Sequence, residues 1–496
     1  MLTVEEIKQF IDEDAASEKK RFARKGEAYY SGEHDILGFR LFYYDAQGNL
    51  KEDKTRSNIK IPHPFFTELV DQATQYILSG EKGFVRSDIP ELQTELDAYF
   101  NENEDFTAEL SEALTDSQAN GFGYMYACKD EEGKTVFKCA DAIGVVEVEA
   151  KFASDHKDHV LYWYVERIDK DGKQVKRIID FDEANKYFYL QTDEGIVPDK
   201  RFKGKNAKPH ITYHIPGDPK TYYDNYGLIP FFRLDNNKKQ HSSLKPIKPL
   251  IDDYDLMASS LSNNLVDFDT PIHLVRGFEG DNLDELQHNL KTKKLIGVPD
   301  TNSGIDVVTV DIPYQARQTK LELDEKNIYR FGFGLNLSGL KDTAATTNIA
   351  IKAAYSLLDL KCSKIEIRLK QLMRKLIKVV LQEVNTANGT DYQMKDVYFA
   401  FEHEIMSNEQ ENAQNKLTEA QTRQAEITTL LNIATHLDNE TLMQLICEQL
   451  DIDYDDIKGK LPDPDEAKTS INDAQNALNG VVVDEPTAEG NSTAIS

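Results

Sequence analysis

Three short stretches hold residue types that could do chemistry. His156-Lys157-Asp158-His159 sets two imidazoles three residues apart, a spacing that zinc can use when a third ligand follows. None follows nearby, and the polar surroundings read as a solvated turn. Phe331-Gly332-Phe333-Gly334-Leu335-Asn336-Leu337-Ser338-Gly339 has the glycines of a phosphate loop without its spacing. It is not G-x-G-x-x-G, it follows a helical run instead of a strand, and it carries no GKS or GKT. Cys128, Cys139, Cys362 and Cys447 form no CxxC pair and read as reduced, partly buried thiols. No GxSxG and no Cys/His nucleophile cluster is present, so the chain is expected to be no enzyme and to need no cofactor or metal.

The chemistry on offer is electrostatic. A helical run from about Asn348 to Val384 carries an apolar stripe (Ala354, Leu358, Ile365, Leu369, Leu372, Leu376, Val380) beside a basic one of Lys361, Lys364, Arg368, Lys375 and Lys378. Residues 352–378 hold eight basic and two acidic side chains in a chain of net charge −28. A solvated face, or intersubunit salt bridges to acidic neighbours, is the preferred reading of that stripe; contact with a phosphate backbone is the sharper alternative. The segment before it, Leu337 to Thr347, is small-residued and nearly neutral, with Lys341 and Asp342 its only charges. Its flanking glycines suit a loop that projects.

Several elements must position these groups. Thr3 with Glu6 is a capping-box pattern that predicts a helix over 3–30. A turn on Gly32 and a hairpin around Asp45–Gly48 follow. Residues 65–80 and 89–119 read as helices, the first ended by Gly80 and the second by Gly121 and Gly123. From 122 to 235 the period falls to two, with hairpins at Glu132-Gly133 and Asp171-Gly172. The stretch from Tyr226 to Phe268 hands a strand to one amphipathic helix over 244–267, striped by Leu244, Ile247, Ile251, Tyr254, Ala258, Leu261 and Leu265. Residues 268–312 read as strand, short helix and two strands, and a return helix covers 314–331. Helical runs over 407–458 precede an acidic, low-complexity end. The fold class is α+β.

Length and charge bound the rest. At 496 residues the chain exceeds the ~250–300 that one core supports. No run approaches the ~18 apolar residues of a membrane span, and the N-terminus lacks a signal-peptide pattern, so assembly in the cytoplasm is expected. A net charge of −28 argues against gripping nucleic acid, though not against letting it slide past.

Five blocks occur in an order that resembles the portal proteins of tailed bacteriophages, the siphophage type of Gram-positive hosts. They are YYSGEHDIL, NIKIPHPFFTELVDQATQYILSGE, ANGFGYMYACKDEEGKTVFKCADAIGVVEV, YGLIPFFRLDNN with LKPIKPLIDDYDLMASSLSNNLVDF, and GLNLSGLKDTAATTNIAIKAAYSLLDLK. Ser262-Asn263-Asn264 departs from an Ala-Asn-Asp-like run. The resemblance implies a ring of about twelve copies at one capsid vertex, a virion component through which double-stranded DNA is packaged and ejected. It implies a wing (1–243), stem helices (244–267 and 313–335), a clip (268–312), a tunnel loop (336–347), long wing or crown helices (348–400), a helical crown (401–460) and an acidic tail (461–496). Tunnel-loop residues Leu337, Ser338, Leu340, Lys341, Asp342 and Thr343 would face DNA. Clip residues Arg276, Asp281, Asp284, Glu285, Lys293 and Lys294 would dock the terminase large subunit and then the head-completion adaptor. Major capsid and scaffolding proteins would be the other partners, and no membrane. A capsid or baseplate subunit without a DNA channel is the alternative.

Overall fold

The Thr3 hydroxyl accepts from Glu6 N (3.2 Å) while Thr3 N donates to the Glu6 carboxylate (2.9 Å), so helix α1 (Val4–Ala16) starts at the predicted capping box. The single helix expected over 3–30 is broken at Ser17. That serine is extended; its hydroxyl donates to Asp14 O and accepts from Lys20 N, ending α1 and capping α2 (Glu18–Tyr30). Serine competes for backbone groups in this way, and periodicity alone does not register it. The computed structural model describes residues 1–450 apart from 46, 55, 81–82, 150–156, 169–170, 200–206, 215–219, 269–271, 277–294, 299–303, 309–312, 337–347, 404–408 and 435–438. Contacts divide the chain into two units, Met1–Met406 and Ser407–Ser496.

In the first unit the predicted hairpin forms from β1 (Phe42–Tyr44) and β2 (Leu50–Glu52), closed by the Asp45 carboxylate accepting from Gln47 N and Asn49 N. Helix α3 (Phe65–Ile77) follows, then a short β3 (Val85–Arg86). The helix expected over 89–119 is also interrupted. It comprises α4 (Pro90–Leu96), a π turn, and α5 (Glu104–Asn120), restarted by Asn103, which accepts from Phe106 N. Gly121 ends α5 with φ +96°, the left-handed C-terminal position predicted for it.

Strands β4 (Phe122–Lys129) and β5 (Thr135–Ala140) turn at Gly133 and are joined by β14 in the order β14-β4-β5. Strands β6 (Val145–Glu149), β7 (Lys157–Ile168), β8 (Gln174–Phe181), β9 (Asn185–Thr192) and β10 (Gly195–Pro198) form a meander, with β11 (Ala207–Pro209) also on β9. Strands β12 (Ile211–His214) and β13 (Thr221–Asp224) pair alone before β14 (Phe231–Asp235). All these pairings are antiparallel. His159 corrects the solvated-turn reading: it lies in β7, its Nδ1 2.7 Å from the buried Asp180 carboxylate. His156 lies outside the described residues.

Helix α6 (Lys248–Phe268) begins after a turn at Leu244–Ile247, slightly later than predicted. Strands β15 (Ile272–Arg276), β16 (Leu295–Val298) and β17 (Gly304–Val308) form a sheet ordered β16-β15-β17, with β15 and β16 parallel. A parallel pair requires a crossover, and the short helix predicted there falls outside the described residues. Helix α7 (Tyr314–Gly332) returns against α6, and α8 (Asn348–Asn388) runs on to Gly389. Strand β18 (Tyr398–Phe399) pairs with β3. The largest core joins α3, α5 and α8. In the second unit, α9 (Glu409–Asn432) packs on α10 (Asn439–Leu450).

Candidate functional site

Leu337, Ser338, Leu340, Lys341, Asp342 and Thr343 lie outside the described residues, as do Asp281, Asp284, Glu285, Lys293 and Lys294; Arg276 is the last residue of β15. What the structure does describe is the platform on which the chain packs before and after segment 337–347. One face of α3 supplies it, through Leu69, Gln72, Ala73 and Tyr76, positions that share a face at steps of three and four. On the incoming side, the Gln72 side chain accepts from Leu335 N and donates to Leu335 O, both at 2.9 Å. On the outgoing side, Lys361 Nζ donates to Leu69 O (2.9 Å), the Cys362 thiol lies 3.7 Å from Ala73 O, and the Tyr76 and Tyr355 rings stand 5.8 Å apart. Between these elements a groove of about 1060 Å³ is lined by Gln72, Tyr76, Glu104, Ser111, Leu335 and Tyr355.

The glycines before the segment act differently from the projecting hinges expected of them. Added Cβ atoms at Gly332 and Gly334 would come within 2.5 and 2.0 Å of Leu69 methyls, while the left-handed residue is Phe333 (φ +57°). Their small size serves close packing on α3. Gly339 lies outside the described residues.

The predicted basic stripe divides. Lys364, Lys375 and Lys378 are exposed; Arg368 is half-buried, and its guanidinium donates to Gln371. Lys361 turns inward, and burial pushes its ammonium down to about 8 from 10.5. A base whose folded pKa is depressed destabilises the fold below that pKa, and stability rises as pH climbs from about 8 towards 10.5. Lys361→Met is therefore expected to melt no lower than the parent at pH 7 and to lose the rise towards pH 10. Thermal unfolding at both values checks this, and a variant markedly less stable at pH 7 would refute it.

Helix α6 holds an extended segment by a polar ladder. Asp255, Ser259, Asn263 and Asp267, four residues apart, accept from the backbone N–H of His63, Ile61, Ile59 and Ser57. Four helical residues rise ~6.0 Å and two strand residues ~6.6 Å, so the repeats match. The predicted apolar stripe is buried only at Leu244, Ile247 and Ile251; Leu265 is 51% exposed. Beyond Ile251 the face of α6 that meets segment 57–63 is polar, with Tyr254 beside it packed edge-on against Phe65 at 4.8 Å. Across the other side, Lys320 of α7 bridges Asp253 and Asp324.

Residues 9–453 match the family of phage portal protein, SPP1 Gp6-like. The chain belongs to this family. This portal protein is 27% identical to the "Portal protein" of Bacillus phage SPP1 over 397 residues, 79% of this chain and 76% of that one. It is 26% identical to the "Portal protein" of Clostridium phage phiCD119 over 426 residues, 83% and 88% of the two chains. As a phage portal protein it is a virion component, a homo-oligomer associated with the capsid. No described helix is long and apolar enough to cross a membrane. Sequence reading missed Gln72, Asp255, Ser259 and Asn263. The four-residue spacing of the last three was visible, but their partners lie about 200 positions away. Asn263 falls within the run that departs from the family pattern.

Proposed function

We propose that this chain is one subunit of a ring of about twelve copies whose axis is the channel for double-stranded DNA during packaging and ejection. Residues 1–243 form the wing, α6 and α7 the stem, 268–312 the clip, 337–347 the loop facing DNA, and the helices after 401 the crown. The clip docks the terminase large subunit and then the head-completion adaptor. The observation that supports this reading is the packing on α3 of the chain on either side of 337–347, at Leu335 and at Tyr355 to Cys362. A short, nearly neutral segment whose flanking chain packs on α3 before it, at Leu335, and after it, along the first turns of α8, can meet a moving duplex from a fixed base. The net charge of −28 adds mostly repulsive walls, which keep contacts weak.

Removing 337–347 from the full chain is expected to leave rings visible by negative-stain electron microscopy and to abolish DNA packaging. Lys341→Ala should alter DNA retention without altering assembly. Protein that stays monomeric under every condition would sink the ring, and normal packaging by the deletion would remove the segment from the channel.

A further inference from the structure

Helix α8 carries two seams. One is the core stripe through Leu358, Ile365, Leu369, Leu372 and Leu376, all buried. The other runs Leu357, Leu360, Lys364, Ile367, Gln371, Arg374 and Lys378, in alternating steps of three and four, the spacing of a helix-packing seam. It extends ~32 Å and is exposed throughout: Leu357 is 38%, Leu360 48% and Ile367 59% accessible. Three large aliphatic side chains and three cations on one line are more than a solvated face requires.

A counterpart lies elsewhere on the same chain. Between Ser87 and Cys128 there are ten acidic residues and no lysine or arginine. Glu102, Glu104, Asp105 and Glu112 of this stretch are exposed around α5, and none of them joins an ion pair among the described residues. Ala108 is exposed among them. Tyr355 and Leu358 of α8 line the groove that Glu104 and Ala108 border, whereas the second seam points to the opposite side of α8. Two complementary patches facing away from each other cannot satisfy each other within one chain. They fit a head-to-tail contact, the kind that closes into a ring.

We infer that the outer seam of α8 seats on the acidic α5 face of the next copy of this chain. Leu357, Leu360 and Ile367 provide the desolvated part, and Lys364, Arg374 and Lys378 pair with Glu102, Glu104 and Glu112. Opposed charge sets the register, and the aliphatic residues hold the contact. The inference rests on the homo-oligomeric reading above.

The test uses the full chain with two charge-reversal sets, Lys364→Glu/Arg374→Glu/Lys378→Glu and Glu102→Lys/Glu104→Lys/Glu112→Lys, alone and combined. Light scattering after gel filtration and electron microscopy measure the ring fraction. Each set alone is expected to lower it about tenfold or more, the effect of ~1.4 kcal/mol per contact, and the combination to restore it. Parental assembly by either set alone, or no recovery in the combination, overturns the contact. Normal rings with impaired packaging in the α8 set would overturn it and assign the seam to DNA. Parental protein that forms no rings would instead overturn the oligomeric reading itself. Should a triple variant fail to fold, Leu360→Cys with Ala108→Cys gives an intersubunit disulfide ladder if the contact exists, and its absence counts against it.

Discussion

Replacing Asp255 with alanine is expected to lower the unfolding free energy of the first unit by about 3–5 kcal/mol, the range for breaking a buried charged network from one side. The Asp255 side chain is 1% exposed. One oxygen lies 2.6 Å from His34 Nδ1, and the other accepts from His63 N and contacts its Nδ1, both at 2.9 Å. His34 stacks on Tyr29 at 4.4 Å, and the Tyr29 hydroxyl bonds to Asp252. One carboxylate therefore ties the turn after α2, the extended segment 57–63 and α6 together, and its loss strands two imidazoles and a backbone N–H. Burial alone would push the Asp255 pKa up; hydrogen bonds from His34 and His63 more than offset this and leave it below 3.8. A carboxylate depressed in the fold stabilises above its unfolded pKa and loses that contribution as pH falls through the folded value. The gap between parent and variant should be full at pH 7 and narrow below about pH 4. Urea unfolding at both pH values measures it, and a difference under about 1 kcal/mol at pH 7 would show that the network is dispensable.

Gly26→Ala is the second large effect. Its added Cβ would stand 1.8 Å from Ala119 O and 3.0 Å from Ser242 Oγ, because the backbone of α2 lies directly on the last turn of α5. A backbone carbonyl cannot swing aside as a flexible side chain can, so α2 must lift from α5. Overpacking of this kind costs about 3 kcal/mol. Gly32 is the control. It has φ +79° with nothing within 4 Å of an added Cβ, so Gly32→Ala should cost only the left-handed strain, about 1 kcal/mol. Thermal unfolding ranks the two, and a Gly32 variant equal to or worse than the Gly26 variant would overturn the packing argument.

Local chemistry made much of the chain readable. The Thr3 capping box, the Asp45–Gly48 turn and the glycine ends at Gly121 and Gly133 are each set within a few residues, so composition and spacing suffice. The breaks at Ser17 and Asn103 escaped because helical periodicity continues across them, and only the backbone shows that their side chains cap. Lys361 escaped for a different reason. A lysine one step from its exposed neighbours reads as part of their face until the position of α3 draws it inward.

By itself, then, the sequence determined the element types, the α+β class and the membership of a portal family, because those depend on short-range patterns and on blocks in order. Tertiary structure decided which faces are used. Leu335 meets Gln72 across 263 residues and Lys361 meets Leu69 across 292, and burial assigns the α6 ladder to segment 57–63 instead of to solvent. Apolar and polar stripes carry no address of their own; the partner's position in space supplies it.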